Sequence, residues 1–422
     1  MQGSEASEVI IIGGGIGGLT LALTLHRASI KCRVYESSAE IKPLGVGLNL
    51  LPHALHALGE LGLEAALLTK GIETREYCFY TRHGQLVYRE PRGRFAGYTA
   101  PQVSIHRADL HGTLLDAVTE RLGPDAICLN HRCVDLEQNE DGVTVHFVNV
   151  RGEAQSRVHG PIAIACDGVH SVARAKYHPD EARPRYEGTT QYRGVTRWKP
   201  FLTGASMIYM GTFETGKLIM YPVRNDIDND GNQLFNWVIE VSRPNDQLLR
   251  DWNRKSEVSE FISSFEDASF DWLDITAVLR AADAVYEYPM VDQDPLSSWT
   301  SGRVTLLGDA AHPMMPRGSN GAAQAILDAK TLAGILASGG NQRDALRAYE
   351  AKRLKATSDV VLANRGIAPD AILRVIEERT AGKPFRHIDD VISQEELQQW
   401  QDRYRQVAGF ASKDLGQQPV RG

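Results

Sequence analysis

The 422-residue sequence predicts a mixed α/β (α+β) protein in which a mostly β segment is inserted into a parallel-sheet domain and helices close the chain. A glycine-rich turn joins an apolar strand to a helix near the N-terminus. Two later apolar strands each end at an aspartate beside a glycine, and a segment rich in β-branched and aromatic residues lies between those two strands. Alternating strands and helices indicate a parallel sheet, whereas a run of short strands indicates a separate layer.

The first element is a βαβ unit. An apolar strand over 9–12 is followed by a GxGxxG turn with Gly13, Gly15 and Gly18 and by a helix over 19–28. A second strand over 32–35 ends at the acidic residue Glu36. This pattern is typical of Rossmann-like dinucleotide-binding domains. There, glycines let backbone amides approach a pyrophosphate at a helix N-terminus, and the acid binds a ribose hydroxyl. On this segment alone, NAD and FAD are both possible.

Two later motifs follow apolar strands. Asp167 and Arg174 belong to DGxxSxxR, which by itself could equally be a surface turn before a capped helix. Asp309 and Pro316 belong to GDAAHxxxP, and the helix after it is predicted to begin near Asn320. Such a helix directs free backbone amides and the positive end of its dipole towards a negatively charged ligand.

In this order and at these separations, GxGxxG, DGxxSxxR and GDAAHxxxP resemble the single-component FAD-dependent aromatic hydroxylases, the p-hydroxybenzoate-hydroxylase-like group A flavoprotein monooxygenases. The sequence over 36–63 and 288–312 is most similar to the branch of 5-methylphenazine-1-carboxylate monooxygenase and salicylate hydroxylase. The resemblance implies a Rossmann-like FAD-binding domain. It also implies hydroxylation of an aromatic or N-heteroaromatic substrate by NADH or NADPH and O2, with or without decarboxylation, through a flavin C4a-hydroperoxide.

The resemblance also implies roles for single residues. Arg107 contacts the flavin side of FAD, Asp309 binds ribityl or ribose hydroxyls, and Pro316 lies near the flavin ring. No catalytic side chain is assigned, because the cofactor carries the chemistry. The implied cofactor-binding residues are Gly13, Gly15, Gly18, Glu36, Arg107, Asp167, Arg174, Asp309, Asn320, Gly321 and Ala322.

The segment over 186–288 is predicted to form a sheet. In one strand Phe235, Trp237, Ile239 and Val241 share an apolar face, which suits a lid over a flat ligand but could equally be an ordinary core face. By resemblance the substrate pocket has walls that include Leu48, Arg193, Tyr209, Tyr221, Trp237, Met314 and Met315. Arg193 is a candidate carboxylate partner, or else a structural arginine.

These elements predict a discontinuous FAD-binding domain. The predicted boundaries are 1–76, 102–180 and 283–366 for the FAD-binding domain, 77–101 and 181–282 for the β-sheet substrate domain, and 367–422 for C-terminal helices and a tail. A net charge of -7 without a basic block argues against nucleic acid as a partner. No apolar stretch has the length and composition of a membrane-spanning segment, so none is expected. Five scattered cysteines suggest a reduced cytoplasmic protein. A monomer or a homodimer is expected. No metal site is expected.

Other functions remain open from the sequence. An oxidase, halogenase or reductase could use the same scaffold, although the WxWxIP motif expected of a halogenase is missing. An oxidase would not need the DGxxSxxR segment, which the resemblance links to the nicotinamide coenzyme. A non-catalytic FAD-holding protein would bind flavin without substrate-stimulated oxidation of NAD(P)H.

Overall fold

The computed structural model describes residues 8–41, 45–182, 184–243, 254–268, 270–366 and 370–407. The strands, in chain order, are β1 (Val9–Ile12), β2 (Cys32–Tyr35), β3 (Gly47–Leu50), β4 (Ile72–Glu73), β5 (Glu76–Tyr80), β6 (Leu86–Pro91), β7 (Val103–His106), β8 (Ile127–Cys128), β9 (Arg132–Gln138), β10 (Val143–Val148), β11 (Ala154–Gly160), β12 (Ala163–Ala165), β13 (Arg185–Trp198), β14 (Ser206–Met210), β15 (Lys217–Arg224), β16 (Gln233–Ser242), β17 (Arg254–Ser256), β18 (Val285–Asp292), β19 (Thr300–Ser301) and β20 (Val304–Leu306). The helices are α1 (Ile16–Arg27), α2 (Pro52–Glu60), α3 (Glu64–Lys70), α4 (Arg107–Leu122), α5 (Val172–Tyr177), α6 (Ile275–Arg280), α7 (Gly321–Ala337), α8 (Gln342–Gly366), α9 (Ala371–Thr380) and α10 (Gln394–Val407). The tail predicted beyond α10 lies outside the described residues.

A six-stranded sheet organises the Rossmann-like part of the chain. Its strand order is β19-β20-β12-β1-β2-β8, and all neighbours are parallel except β19 and β20. Strand β1 is central and fully buried, and α1 packs against α4 and α7. Since the carboxyl ends of parallel strands meet at one edge, the turns after β1, β12 and β20 lie together. The three sequence motifs are therefore brought to one place.

The middle of the chain forms an eight-stranded sheet of order β17-β18-β13-β16-β15-β14-β5-β6. The antiparallel pair β5 and β6 forms its last two strands, and β5 pairs with β14 in parallel. Two three-stranded sheets complete the fold, β11-β10-β9 and β3-β7-β4. The described helices include none that is long and apolar enough to cross a membrane.

The two faces of the eight-stranded sheet have different partners. One face carries Phe235, Trp237 and Ile239, and it packs against Phe261 and Phe265 in an apolar core. The indole of Trp237 is fully buried, and its Nε1 donates a hydrogen bond to Thr196 Oγ1 at 3.0 Å. Trp237 was expected in the substrate pocket, and this expectation is wrong because its face belongs to the core. The opposite face meets α9 and α10 at one end and a cavity at the other.

Candidate active site

A cavity of about 370 Å³ lies between the motif-bearing edge of the six-stranded sheet and the second face of the eight-stranded sheet. Its lining comes from the turn after β1, the loop and first turn of α7, and strands β13 to β16. Many of the residues predicted from the sequence are therefore brought together. Those that line it are Gly15, Leu48, Arg107, Arg193, Tyr209, Tyr221, Asp309, Met314, Pro316, Asn320, Gly321 and Ala322.

The three glycines of the first motif have separate tasks. Gly13 has φ +104°, and a Cβ there would stand 2.4 Å from the carbonyl oxygen of Cys166. A Cβ on Gly18 would stand 2.0 Å from the carbonyl oxygen of Gly13, so both positions exclude a side chain. Only Gly15 of the three lines the cavity, and a Cβ there would meet nothing within 4 Å. Gly13 and Gly18 thus shape the turn instead of facing a ligand.

Glu36, at the end of β2, holds this turn. Its carboxylate accepts hydrogen bonds from the backbone amides of Gly14 and Ser38, both at 2.8 Å, and from the Ser37 hydroxyl at 3.0 Å. Burial raises the pKa of Glu36, but these hydrogen bonds outweigh burial and lower the pKa on balance. Glu36 does not line the cavity, and its contact with a ribose stays a prediction.

The loop after β20 presents a carboxylate and bare backbone to the cavity. Asp309 is exposed to the cavity and forms no hydrogen bond with the described residues. Helix α7 begins at Gly321, as predicted, and the Asn320 side chain forms no capping hydrogen bond there. Free amides and the helix dipole favour a negatively charged group, and a carboxylate without a protein partner suits polyol hydroxyls. These residues fit a bound FAD.

Arg174 does not reach the cavity. Its guanidinium is only 3% exposed and pairs with Glu181, with Nε donating to Oε2 at 2.7 Å. Its Nη1 donates to the carbonyl oxygens of Ala310 and Ala311 at 3.0 and 2.9 Å. Direct contact with a cofactor was expected of Arg174, and the structure corrects this. A buried arginine that binds two backbone carbonyls fixes the loop carrying Asp309.

Asp167 is likewise internal. Its Oδ2 accepts a hydrogen bond from the amide of Val172 at 2.8 Å, and its Oδ1 is buried with no partner among the described residues. Burial raises the pKa of Asp167. Its neighbours Cys166 and Gly168 line the cavity in its place. Asp167 therefore lies behind the cavity wall and does not line the cavity, contrary to the expectation of direct contact with a cofactor.

A buried carboxylate on α7 supports the same loop. Asp328 is fully buried; its Oδ2 contacts His312 Nε2 at 2.6 Å and accepts from the amide of Gly308 at 3.2 Å. Its Oδ1 accepts from Arg353 Nε at 2.7 Å. Burial raises the pKa of Asp328, but the charges and hydrogen bonds of His312 and Arg353 lower it on balance. Sequence reasoning missed Asp328, because nothing in a helical alanine-rich segment distinguishes it.

Strands β13 to β16 supply the opposite wall of the cavity. Arg193, on β13, donates from Nη2 to the carbonyl of Gly47 at 3.0 Å, and its Nε is buried with no partner among the described residues. Burial raises the pKa of Tyr221 to about 12, although Arg193 and Asn49 act on its hydroxyl in the opposite direction. The Arg193 guanidinium lies 6.0 Å from the ring centre of Tyr288. The result is a cationic, aromatic corner.

Two further results concern the predicted walls. Met314 lines the cavity, but Met315 is only 1% exposed and points elsewhere, so its expected place in the pocket is wrong. Sequence reasoning also missed several residues of the eight-stranded sheet that line the cavity. The alternation of side chains along each strand shows only that they lie on the face opposite Trp237. These are Gln191, Lys217, Ile219, Val238, Glu240 and Tyr288.

The chain belongs to a flavoprotein family: the family model described as FAD binding domain matches residues 6–364. FAD is accordingly its cofactor. The phenazine 1,6-dicarboxylic acid hydroxylase PhzS of Lysobacter antibioticus is 41% identical over 370 residues, covering 86% of this chain and 91% of that protein. The 3-hydroxybenzoate 6-hydroxylase of Polaromonas naphthalenivorans is 32% identical and covers 85% of this chain and 86% of its own length.

Solved structures agree with this assignment. The chain matches a salicylate hydroxylase substrate complex with a TM-score of 0.69 and 26% identity, over 89% of this chain and 94% of that one. The protein is a FAD-dependent aromatic hydroxylase, a monooxygenase class that uses NAD(P)H as co-substrate. The resemblance and the Rossmann-like fold predicted from the three motifs are confirmed.

We expect Asp309→Ala to weaken FAD binding by roughly tenfold or more, because hydrogen bonds to a charged acceptor contribute about 1.5–3 kcal/mol. The affinity is measured by titrating FAD into the apoprotein and following flavin fluorescence. Asp309 has no described protein partner, so the unfolding midpoint of the apoprotein should not change. Asp283→Ala, which removes an exposed carboxylate outside the cavity, serves as the control. Unchanged FAD affinity in Asp309→Ala would contradict the assignment.

Proposed function

We propose that the protein uses NADH or NADPH and O2 to hydroxylate an N-heteroaromatic carboxylic acid, with phenazine carboxylates as the substrate class. The relative from Lysobacter antibioticus is named for a phenazine dicarboxylic acid, and we transfer that class to this chain. The observation that supports a carboxylate group on the substrate is the position of Arg193 on the cavity wall. Its guanidinium lines the cavity and has no carboxylate partner among the described residues, so its charge suits a substrate carboxylate.

When bound, FAD supplies the redox and oxygen-transfer chemistry. The chain's own residues then bind and orient the substrate. Arg193 binds the carboxylate, Val238 and Ile219 support a flat ring, and Tyr209 adds an aromatic wall. The glycines and small residues at the start of α7 leave backbone amides bare for the cofactor.

The direct test is substrate-stimulated oxidation of NADH and NADPH by the purified, FAD-loaded enzyme. Phenazine-1,6-dicarboxylate, phenazine-1-carboxylate, unsubstituted phenazine, salicylate and 3-hydroxybenzoate form the panel. We expect a carboxylated phenazine to raise the oxidation rate and to yield a product that contains one oxygen atom from ¹⁸O2. The mass of that product also reports whether carbon dioxide is lost. Oxidation that no aromatic acid stimulates would refute the proposal.

We expect Arg193→Gln to raise the dissociation constant of phenazine-1-carboxylate by roughly tenfold or more, because the variant loses a charged hydrogen-bond donor. Unsubstituted phenazine should bind the variant and the wild type alike. Both constants can be measured by perturbation of the flavin absorbance, without turnover. The matched control is Arg197→Gln, which removes an exposed arginine from the same strand. An equal loss of affinity for both ligands would show that Arg193 is structural.

The localisation, the oligomeric state and the domain boundaries belong to the same proposal. We propose a cytoplasmic enzyme, monomeric or homodimeric, because the five cysteines are unpaired among the described residues and no charge block suggests a macromolecular partner. We retain the domain boundaries at 76/77, 101/102, 180/181, 282/283 and 366/367. Gel filtration coupled to light scattering would determine the oligomeric state.

A further inference from the structure

A charged row crosses the cavity face of the eight-stranded sheet. Strand register pairs Gln191 with Tyr288 on one side and with Glu240 on the other, and Glu240 in turn with Lys217. All four residues line the cavity. Glu240 and Lys217 are each only 1% exposed. A fully buried ion pair on the wall of a ligand cavity is costly unless its hydrogen-bonding capacity is used.

Lys217 and Glu240, the two charged residues of this row, differ in how much of their hydrogen-bonding capacity is used. The Lys217 ammonium contacts Glu240 Oε2 at 2.8 Å and Asp370 Oδ2 at 2.7 Å, and it lies 4.6 Å from the ring centre of Phe213. Glu240 accepts one hydrogen bond at each oxygen, from Lys217 and from Gln191 Nε2 at 2.9 Å. A carboxylate offers about four acceptor positions. Glu240 therefore retains acceptor capacity at the cavity wall.

The charged row lies at a fixed spacing from the Arg193 corner. Arg193 follows Gln191 by two residues on β13, so the two rows are separated by about 6.8 Å along the strands. The row of Arg193 continues through Val238 and Ile219, which are apolar. A flat ring placed over these apolar residues has the Arg193 corner beside it on the neighbouring strand β13, and Glu240 beside it two residues further along β16.

We propose that Glu240 accepts a hydrogen bond from a hydroxyl or ring N–H group of the aromatic substrate, at a different edge of the ring from the carboxylate that Arg193 binds. The inference rests on the proposed function and, within its substrate class, predicts tighter binding of the carboxylic acids that also carry such a donor. The charges of Lys217 and Arg317 lower the pKa of Glu240 despite its burial, so the carboxylate is an acceptor and not a donor. Glu240 is thus a specificity-determining residue.

The test compares ligands that differ only in the donor. The pairs are 6-hydroxyphenazine-1-carboxylate with phenazine-1-carboxylate, and 3-hydroxybenzoate with benzoate. Dissociation constants are measured on the oxidised, FAD-loaded enzyme by perturbation of the flavin absorbance, which requires no turnover. We expect the wild type to prefer the hydroxylated member of each pair. Glu240→Gln should raise the dissociation constant of the hydroxylated member by roughly tenfold, since the hydrogen bond loses its charged acceptor, and change the other by less than about threefold.

Asp370→Asn is the matched control, because it removes the other carboxylate from the same lysine and should leave the preference for hydroxylated ligands intact. The proposal is overturned if the wild type shows no preference, if Glu240→Gln weakens both members equally or neither, or if Asp370→Asn abolishes the preference as Glu240→Gln does. Failure of the proposed function has a different signature. Hydroxylated ligands would then bind in a Glu240-dependent manner without stimulating NAD(P)H oxidation or receiving oxygen.

Discussion

Asp328→Asn is expected to lower the free energy of unfolding by about 3–5 kcal/mol, the usual cost of removing one partner of a buried ion pair. The substitution keeps the shape of the side chain but removes its charge. Arg353, whose side chain is only 11% exposed, then loses its carboxylate partner. The contacts of Asp328 with His312 and with the amide of Gly308 are also weakened. Because Gly308 precedes Asp309, FAD affinity should fall as well.

The measurement is urea-induced unfolding of the apoprotein, with FAD titration on the folded variant. Asp359→Asn is the matched control: Asp359 also pairs with a basic residue, Lys355 at 2.7 Å, but its side chain is 48% exposed. An exposed helical pair of this kind contributes about 0.3–0.5 kcal/mol. Equal unfolding midpoints for the two variants would refute the structural role assigned to Asp328.

The same network predicts a pH dependence. The folded state lowers the pKa of Asp328 from its usual 3.8, so the stabilisation from this carboxylate is present above pH 3.8 and is lost as the pH falls through the lower, folded value. The difference in stability between wild type and Asp328→Asn should therefore shrink in strong acid. A difference that grew with acidity would contradict the assigned direction of the pKa shift.

The sequence predicted the cofactor side of the site well, because its constraints are local. A turn that excludes a side chain at Gly13 and Gly18 requires glycine, and the start of α7 follows a loop rich in glycine and proline. Both features appear as motifs within a few residues. The predicted helix over 19–28 was displaced, since α1 begins at Ile16 and includes glycines in its first turn.

The substrate side was harder to predict because both faces of the eight-stranded sheet are buried. Alternation placed Trp237 on the apolar face of its strand, and hydrophobicity alone made that face the better candidate for a pocket, whereas Glu240 lies on the opposite face. The structure packs that face against 3-10 segments and α6, and it gives the charged face to the cavity. The contact of Lys217 with Asp370 joins residues far apart in the chain, and no local pattern could have indicated it.

Arg174 illustrates a motif that was identified correctly but whose role changed. Its place in DGxxSxxR suggested direct contact with a cofactor, yet its guanidinium binds Glu181 and the carbonyls of Ala310 and Ala311. The arginine therefore acts through the loop that carries Asp309. A role through the loop and a role through direct contact with a cofactor predict different effects of substituting Arg174.

We expect Arg174→Ala to destabilise the protein by about 3 kcal/mol or more and to weaken FAD binding, because a buried ion pair is broken and two carbonyls lose their donor. Once the variant is saturated with FAD, its rate of reduction by NAD(P)H should equal that of the wild type, as measured by anaerobic stopped-flow absorbance. Arg174→Lys should not restore FAD affinity, since one ammonium cannot reproduce the forked contacts to Glu181 and both carbonyls.

Glu181→Gln is the matched variant for this prediction. It removes the charge that pairs with Arg174 but leaves the guanidinium beside the carbonyls of Ala310 and Ala311, so FAD affinity should fall less than in Arg174→Ala. Slow reduction of FAD-saturated Arg174→Ala would argue for direct contact with the coenzyme instead, and normal FAD affinity in that variant would refute the loop role. The loop role requires a loss of FAD affinity with the rate of reduction unchanged.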